Sequence, residues 1–551
     1  AWPAKASIHQ PLTQTRPQPA APRLQRLAPP RPEPELDVPT RGFAAVVGLC
    51  TAAVAAFLSY AVTAWPPHED ETLALFSGRG TVSQLYETVF RRGGAPLHFT
   101  IAWIVAHTGG GLLGLRIVSA LFAVASVPVV ALLCARLAGR LPAMIATVLL
   151  SGSWTLLFHG VYARMYSLFL FTSALSYLAL LRALERGGRR SWTWWALAIL
   201  ATTATHTYGA IVIASQGLYA LAVRTPWRRL LVPFGAVFLV GIPLWYSDLV
   251  LAGRYDVGVG GGGSKLRGPL DVLRYFFHVG GDFTAGWLWA VWPVTACAAV
   301  GLVLLGRDRL RPALLAGCVF LTPFALFVVA RVGSSASPET RHMIFALPFF
   351  LLAVAFGMLK ILRVPALAAV AALALCYGEV EWGWQKTPEL FRGEPLIRVD
   401  ARESASAWLA GLMRPSDVLL GYDPLFLGAW EDGGSVSRTV VPRADPKLAL
   451  KVLREAPKPL GRAVFVFDAS DTNNFRRRLY IPAELPFPRG DFTAHAWGPF
   501  LVVRTKEPVR TVAGFLARAQ QAQLLGKSMF IGDADVNFVT VKQALGLLGP
   551  G

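Results

Sequence analysis

Long apolar segments recur along this chain and constrain its fold more than any other feature. Runs suited to crossing a bilayer occur at 42–64, 113–135, 141–161, 165–182, 191–206, 208–223, 230–250, 284–306, 312–330, 343–359 and 364–378. At about 1.5 Å per residue, helices of these lengths cover roughly 22–35 Å, close to the thickness of a bilayer core. Only 16% of the 551 residues are charged, whereas soluble proteins carry roughly a quarter. The sequence therefore predicts a polytopic α-helical membrane protein with eleven spans.

The basic residues predict how these spans are oriented. One set of hairpin loops, at 136–140, 182–190, 224–229, 307–311 and 360–363, holds 14 Lys and Arg against 2 acids. The opposite hairpin loops hold 10 against 8, although they are longer. Because positively charged loops stay in the cytoplasm, we expect a plasma (inner) membrane protein with a cytoplasmic N-terminus and an extracytoplasmic C-terminus. If residues 96–107 formed a twelfth span, Arg136 and Arg140 would lie outside and the charge pattern would be lost. We therefore expect an interfacial or re-entrant helix there.

Composition divides the chain into three regions. Residues 1–41 are rich in Pro, Gln and Arg and lack an apolar core, which predicts a disordered cytoplasmic tail. Residues 42–378 form the membrane module, with a first outer loop at 65–112. Residues 379–551 contain helix-like "ARESASAWLAGLM" and "VRTVAGFLARAQQAQLL" and strand-like "DVLLGY", "AVFVFD" and "PFLVVR". This alternation predicts a small extracytoplasmic α/β domain.

Charge and cysteine content exclude several classes of function. The net charge of +20 could indicate nucleic-acid binding, but Lys and Arg cluster in short loops between apolar runs. We therefore expect the lipid bilayer, and no nucleic acid, as a partner. All five cysteines fall within apolar runs. The sequence thus predicts neither a disulfide framework nor a zinc site in a loop.

Ionisable and aromatic residues gather at the predicted outer ends of the spans. They include Asp70 with Glu71, Arg116, His159, Arg164 with Tyr166, His206, and Arg341 with His342. Each has a structural alternative: Arg and Tyr often anchor span ends, buried His often packs, and an acidic run often starts a solvated loop. Scattered interfacial residues would populate both faces of the membrane, whereas these are predicted to share one. Because such groups are costly near membrane depth, their gathering indicates a functional site.

Carboxylates and arginines at a membrane face suit one kind of chemistry. The planar guanidinium binds phosphate through two parallel hydrogen bonds and is always charged. A carboxylate at the water boundary can act as a general base toward a hydroxyl. Together they favour transfer of a group from a lipid-linked phosphate to an alcohol, with arginine stabilising the departing phosphate.

Five segments in order resemble the GT-C glycosyltransferases. They are "HEDETLALF", "RRGGAPLHF", "GLRIVSALFAVASVPVVALLCARLAGR", "GVYARMYSLFLF" and "RHMIFALPFFLLAVAFG". The resemblance covers roughly residues 42–360 and is closest to glycosyltransferase family 39, with the bacterial aminoarabinose transferases and protein O-mannosyltransferases. It implies an inverting enzyme that moves a sugar from a polyprenyl-phosphate donor to a hydroxyl acceptor on the outer face. The acceptor would be an envelope glycan, a lipid or a protein.

The resemblance also implies roles for individual residues. Asp70 matches the family's catalytic base and Glu71 its acidic partner, with Glu69 a competitor through a one-residue shift. Arg341 matches the phosphate contact, although His342 stands where the family has Tyr. The predicted substrate-binding set is Glu69, His98, Arg116, His159, Arg164, Tyr166, His206, Arg341 and His342.

Two questions stay open at this stage. The first outer loop lacks an Asp-x-Asp pattern, so we expect no required cofactor, although relatives differ in their use of divalent metal. A transporter or lipid flippase is the main alternative; it would need acids or broken helices near mid-membrane, and we expect neither. A non-catalytic envelope scaffold is a further alternative, which would tolerate loss of Asp70.

Overall fold

Helices dominate the described part of the chain from residue 40 to residue 386, and a mixed sheet with helices follows. The computed structural model describes residues 40–255 apart from Pro66, and then 266, 268–330, 339–386, 396–421, 423–427, 439–442, 446–468, 490–498, 500–528, 541, 544 and 546–548. The predicted disordered tail lies outside these residues except at its end, where the first helix begins at Thr40.

The membrane module contains seventeen α-helices and one 3₁₀ helix among the described residues. They are α1 Thr40–Ala64, α2 Glu69–Ser77, α3 Val82–Arg92, α4 Pro96–His107, α5 Gly111–Ala138, α6 Arg140–Ser151, α7 Trp154–Val161, α8 Tyr166–Arg186, α9 Arg189–Thr205, α10 Gly209–Ala222, α11 Trp227–Val240, α12 Ile242–Tyr255, α13 Pro269–Asp282, α14 Leu288–Asp308, α15 Leu310–Ala330, η1 Thr340–Ala346, α16 Leu347–Leu362 and α17 Pro365–Lys386.

Seven of these helical segments are long and apolar enough to cross a membrane. They are α1, α5, α8, α14, α15, η1 with α16, and α17. Two further pairs pass the same test together but are bent, α6 with α7 by 51° and α11 with α12 by 60°, which gives up to nine candidate spans in the described part of the chain. The remaining predicted runs, 191–206 and 208–223, form α9 and α10, of 17 and 14 residues. The polytopic helical fold is confirmed, while the count of eleven stays a prediction.

The two bends correct the expectation that no helix is broken. At the first bend, a side chain on Gly152 would lie 2.4 Å from Cβ of Cys376, so α17 approaches the chain there too closely for any larger residue. A helix start leaves backbone N–H groups without partners inside the helix. At α7 the amide of Trp154 donates to Oε1 of Glu379, 2.9 Å away. A glycine inside an apolar run did not by itself predict the break, because α17 is more than 200 residues away in the sequence.

The first outer loop folds into three short helices, α2, α3 and α4. Helix α4 has the predicted bounds and is 12 residues long, or about 18 Å, too short to cross a bilayer core. Its buried face carries Phe99 and Ala102, which share a core with Ala74 and Leu75 of α2. Helix α2 therefore lies against α4.

A five-stranded mixed sheet forms the C-terminal domain. Its strands are β1 Val418–Leu420, β2 Thr439–Val441, β3 Ala463–Asp468, β4 Phe492–Trp497 and β5 Phe500–Thr505, in the order β2-β1-β3-β5-β4. Strand β1 pairs in parallel with β2 and β3, and β5 pairs antiparallel with β3 and β4. Within the described ranges, the helices beside the sheet include α18 Leu396–Leu412, α19 Pro446–Glu455 and α20 Val512–Ser528.

The predicted α/β character of this domain is confirmed. The three predicted strands are β1, β3 and β5, and the two predicted helices are α18 and α20. Strands β2 and β4 and helix α19 were not predicted. The proposed boundary at 378 falls inside α17, which continues to Lys386.

Candidate active site

Helix α2 begins with a cap that places the two acidic residues in its first turn. Nδ1 of His68 accepts from the amide of Asp70 at 3.2 Å, and Oε2 of Glu71 accepts from the amide of His68 at 2.9 Å. This is a capping box in which His takes the place usually held by Ser or Thr. The cap fixes the start of α2 and turns the neighbouring side chains of Asp70 and Glu71 in different directions.

Glu71 points inward and is fully buried. Its carboxylate accepts two hydrogen bonds from Arg116, from Nε at 2.8 Å and from Nη2 at 2.7 Å. It also accepts from the amides of Ala163 at 3.0 Å and His68 at 2.9 Å. The side chains of Glu71 and Arg116 are 0% and 4% exposed. Four hydrogen bonds hold both carboxylate oxygens, so the geometry favours a positioning role for Glu71 rather than contact with substrate.

Arg116 also donates hydrogen bonds to backbone oxygens at the end of α1. Its Nη1 donates to the carbonyl oxygens of Val62 at 3.2 Å and Trp65 at 2.5 Å. The guanidinium thus joins α1, α2 and α5 below the surface. The predicted substrate-binding role of Arg116 stays a prediction, and these contacts favour a structural one.

Asp70 points the other way, with 34% of its side chain exposed. Its Oδ2 accepts from the hydroxyl of Tyr162 at 2.5 Å and lies 3.8 Å from Nη2 of Arg341. Nη1 of Arg164 donates to the backbone oxygen of Asp70 at 3.2 Å. No hydrogen bond to Oδ1 occurs within the described part of the chain.

The charge of Asp70 is held by its surroundings. Burial acts to raise the pKa of this carboxyl, but the Arg164 guanidinium, His68, the Tyr162 hydrogen bond and Arg341 together bring the pKa well below its ordinary value. Burial, followed by the charge of Asp70, raises the pKa of Tyr162 well above its usual range, so the phenol keeps its proton and donates. Asp70 is therefore an ionised, oriented carboxylate at neutral pH.

Arg341 connects Asp70 to a cluster of rings. Its Cζ lies 5.3 Å from the centre of the Tyr166 ring, within reach of a cation–π contact. Glu339 accepts from Nε of Arg341 and orients the guanidinium. The ring of His342 stacks on Tyr166 with centres 6.1 Å apart, and His206 lies 4.7 Å from His342. The structure therefore brings these predicted residues to one place.

Two histidines lie deeper in this cluster. The rings of His159 and Tyr166 are 4.6 Å apart, and His159 and His206 are 5% and 4% exposed. Nδ1 of His206 accepts from the amide of Tyr208 at 3.0 Å, which in the neutral imidazole leaves Nε2 as a donor. Nδ1 of His159 has no hydrogen-bond partner among the residues that the structure describes. Their predicted ligand contacts stay predictions.

His98 lies near Arg164. Both residues line a narrow cleft whose other walls include Ile101, Leu115 and Val118. His98 is 4% exposed, and burial, followed by the charge of Arg164, lowers the pKa of its imidazole to about 3. Nε2 of His98 and Nε of Arg164 lack hydrogen-bond partners within the described ranges. A neutral imidazole and a guanidinium edge therefore face this cleft.

Sequence reasoning missed two residues and could not resolve a third. Tyr162 and His68 both contact the Asp70 segment, and their signal was proximity: each lies within two residues of a predicted site residue. Glu69 begins α2, but its side chain lies outside the described residues. Among the described residues, no group of three or more His, Cys, Asp and Glu is arranged to hold a metal ion. Metal use remains untested.

Comparison with solved structures bears on the fold. ArnT from Cupriavidus metallidurans, in a crystal structure bound to undecaprenyl phosphate, superposes with a TM-score of 0.50 over 85% of this chain and 98% of that chain, at 15% identity. The chain has the GT-C fold. The apo structure of the same ArnT gives a TM-score of 0.47 over 84% and 98% of the two chains, also at 15% identity. The sequence matches no protein-family model, and comparison with curated proteins also finds no match.

Within this GT-C fold, the predicted site residues separate into two layers. An outer layer connects Asp70 with Arg164, Arg341 and the rings around Tyr166. An inner layer consists of the Glu71–Arg116 pair, which fixes the helix that carries Asp70. The outer layer has groups that can bind a ligand. The inner layer fixes the position of the helix that carries Asp70.

Proposed function

We propose that this protein is an inverting glycosyltransferase that moves a sugar from a polyprenyl-phosphate donor to a hydroxyl acceptor at the outer face of the membrane. One observation carries the proposal: the partly exposed carboxylate of Asp70, whose Oδ2 is held by Tyr162 and faces Arg341 while Oδ1 accepts no hydrogen bond from the residues that the structure describes. The GT-C fold supports it, and so does the undecaprenyl phosphate bound to the similar ArnT structure.

The proposed reaction uses a carboxylate to bind the acceptor hydroxyl and a cation to stabilise the departing phosphate. The acceptor hydroxyl donates a hydrogen bond to Oδ1 of Asp70, and its oxygen attacks the anomeric carbon opposite the phosphate. The bond from that carbon to the phosphate oxygen breaks, and its electron pair leaves with the polyprenyl phosphate. Arg341 stabilises the departing charge, with Arg164 beside it. The hydroxyl proton ends on Asp70, and the anomeric configuration is inverted.

The low pKa of Asp70 determines when the proton moves. Such a carboxylate is a weak base toward a free hydroxyl, whose own proton is far less acidic. Glycosyl transfer passes through a transition state with a positive, oxocarbenium-like sugar, and the hydroxyl becomes acidic as it bonds to that carbon. We therefore expect proton transfer to follow bond formation, with Asp70 first orienting the acceptor. The protonated acid then releases its proton readily to water.

The experiment begins in cells depleted of the protein. Lipid-linked sugars that accumulate there identify the candidate donor, which is then supplied to the reconstituted protein. The expected result is sugar transfer with release of polyprenyl phosphate, reduced at least about a hundredfold in Asp70→Asn, since general-base catalysis contributes ~10²- to 10⁴-fold. Donor binding should be unchanged in this variant. If Asp70→Asn transfers sugar at the parental rate, the proposed base is wrong.

A lipid flippase is the second candidate, because discontinuous helices line the substrate sites of many transporters. The bends between α6 and α7 and between α11 and α12 favour it. At the first bend, however, Glu379 already occupies the amide of Trp154. Movement of a fluorescent lipid-linked sugar across vesicles, undiminished in Asp70→Asn, would favour the flippase over the transferase.

A further inference from the structure

We propose that the C-terminal domain holds α2 in place from its outer side, and that Phe76 and Leu427 are positioning residues for Asp70. The inference rests on the proposed role of Asp70 as the base. It assigns to the domain a part in building the site, rather than a separate function beside it.

Helix α2 cannot fix its own position. It has nine residues, and isolated helices shorter than about 12 residues are marginal in water. Asp70 lies in its first turn and Phe76 in its last turn, about 9 Å further along the axis at 1.5 Å per residue. The direction of the helix, and with it the place of Asp70, therefore depends on what packs against both ends.

The first turn and the inner face of α2 are held by the membrane module. Glu71 is bound by Arg116. Ala74 and Leu75 are fully buried in a core that they share with Phe99 of α4. These contacts leave the outer side of α2 to other partners.

The C-terminal domain supplies those partners. Leu427 belongs to the same core as Ala74 and Leu75 and is only 2% exposed. Phe76 packs against this core and also against the core beneath the domain's sheet, which includes Leu425 and Phe426. The last turn of α2 is thus shared between the membrane module and the domain.

An ion pair marks a second point of contact. Nζ of Lys451 on α19 lies 2.7 Å from Oε1 of Glu87 on α3, with the two side chains 20% and 46% exposed. A pair this exposed contributes little free energy. It does show that α19 of the domain lies next to α3 of the first outer loop. The two positions can also be used for a cross-link.

Loss of the outer contacts should displace Asp70 without removing any group that touches substrate. A misplacement of about 1 Å can cost on the order of 10²-fold in rate. Donor binding through Arg341 should persist, because Arg341 lies on η1, outside α2. A reduced transfer rate with unchanged donor affinity is therefore the expected signature of a positioning role.

The test compares Phe76→Ala and Leu427→Ala with a matched control, Leu524→Ala. Leu524 lies on α20 of the same domain and is 62% exposed. Amide exchange of residues 72–77, donor binding and single-turnover rate are measured in the full-length protein. We expect exchange at least about tenfold faster, a rate about 10- to 100-fold lower and donor affinity within about twofold. Phe76→Leu should restore most of the rate, and Leu524→Ala should match the parent.

A cross-link between Glu87→Cys and Lys451→Cys, made with a bifunctional thiol reagent whose spacer is cleaved by reductant, provides the second arm. If the docked domain is the working form, the cross-linked protein should transfer sugar at close to the rate of its reduced form. Unchanged α2 exchange in both Phe76→Ala and Leu427→Ala would overturn the inference, as would faster exchange with a parental transfer rate. Loss of transfer on cross-linking that reductant reverses would also overturn it. The exchange measurement needs no turnover, so its failure is distinguishable from failure of the proposed reaction.

Discussion

The hydroxyl of Tyr162 donates a hydrogen bond to Oδ2 of Asp70, 2.5 Å away. This bond links two residues that are 92 positions apart in the sequence. Tyr162 directly follows α7, and Asp70 lies in the first turn of α2. The contact occupies Oδ2, while Oδ1 accepts no hydrogen bond within the described ranges. It also helps to keep the pKa of Asp70 low, after the opposing effect of burial and the larger effects of Arg164 and His68.

Replacing Tyr162 with Phe should change the pH dependence of transfer. The hydrogen bond stabilises the ionised carboxylate, so Tyr162→Phe should raise the pKa of Asp70 toward the ordinary value of about 3.9. The acidic limb of the single-turnover rate should then move to higher pH, and the plateau rate should fall by about 10-fold. Rates measured from pH 8 down to the lowest pH at which the protein stays folded check this.

Stability should follow the same sign. A carboxyl whose pKa is lowered by folding adds stability above its unfolded pKa, and this is lost as pH falls through the folded pKa. Tyr162→Phe should therefore lower thermal stability at neutral pH more than in acid. An acidic limb that stays at the parental pH in Tyr162→Phe would show that the hydrogen bond does not set the titration of the base.

Arg341 should act on the donor rather than on the acceptor. Arg341→Lys keeps the charge but loses the planar fork, and Arg341→Ala loses both. Donor affinity should fall in the order Arg, Lys, Ala, with the alanine step on the order of 2–4 kcal/mol if the contact is well buried. Binding of polyprenyl-phosphate sugar to reconstituted protein measures this. Turnover should fall as well, because the departing phosphate loses stabilisation.

Arg274→Ala is the matched control for this series. Arg274 lies on α13, in a loop predicted to be on the same side as Arg341, and 69% of its side chain is exposed. Its loss should leave donor binding within about twofold, because exposed ion pairs contribute little. If Arg341→Ala binds the donor as tightly as the parent protein does, Arg341 does not contact the phosphate and only anchors the helix end at the membrane interface.

The buried pair of Glu71 and Arg116 should be a stability element. Breaking a buried ion pair by removing one partner costs about 3–5 kcal/mol, because the other charge is left uncompensated. Glu71→Gln should therefore lower the midpoint of thermal unfolding clearly. The control is Glu185→Ala, which removes an exposed pair with Arg136 and should change stability by less than about 1 kcal/mol. A stable Glu71→Gln protein that lacks turnover would instead place Glu71 in the chemistry.

The orientation of the chain can be tested by single cysteines. The five native cysteines lie in apolar runs, and a side chain added at Gly188 would meet open space. We expect Gly188→Cys to react with an impermeant thiol reagent only after the cytoplasmic side is opened, and Leu524→Cys to react from outside. A C-terminal domain labelled only from the cytoplasm would remove the outer-face site.

The sequence alone predicted features that depend on local pattern. Apolar run lengths indicated the spans, and short strand-like apolar segments indicated β1, β3 and β5. The edge strand β4 was missed because Thr493 and His495 interrupt its apolar residues, and the edge strand β2 was also missed. The bend after Gly152 was missed because it depends on contact with distant α17.

The sequence also determined that carboxylates and arginines share one end of the spans, because chain topology places them there. It could not determine which of Asp70 and Glu71 is buried in an ion pair and which is partly exposed. Adjacent residues on a helix point about 100° apart, so the rotation of α2 decides which carboxylate is buried against Arg116 and which faces Tyr162 and Arg341. That rotation is set by partners 45, 92 and 271 positions away in the chain. Only the tertiary structure brings those partners together.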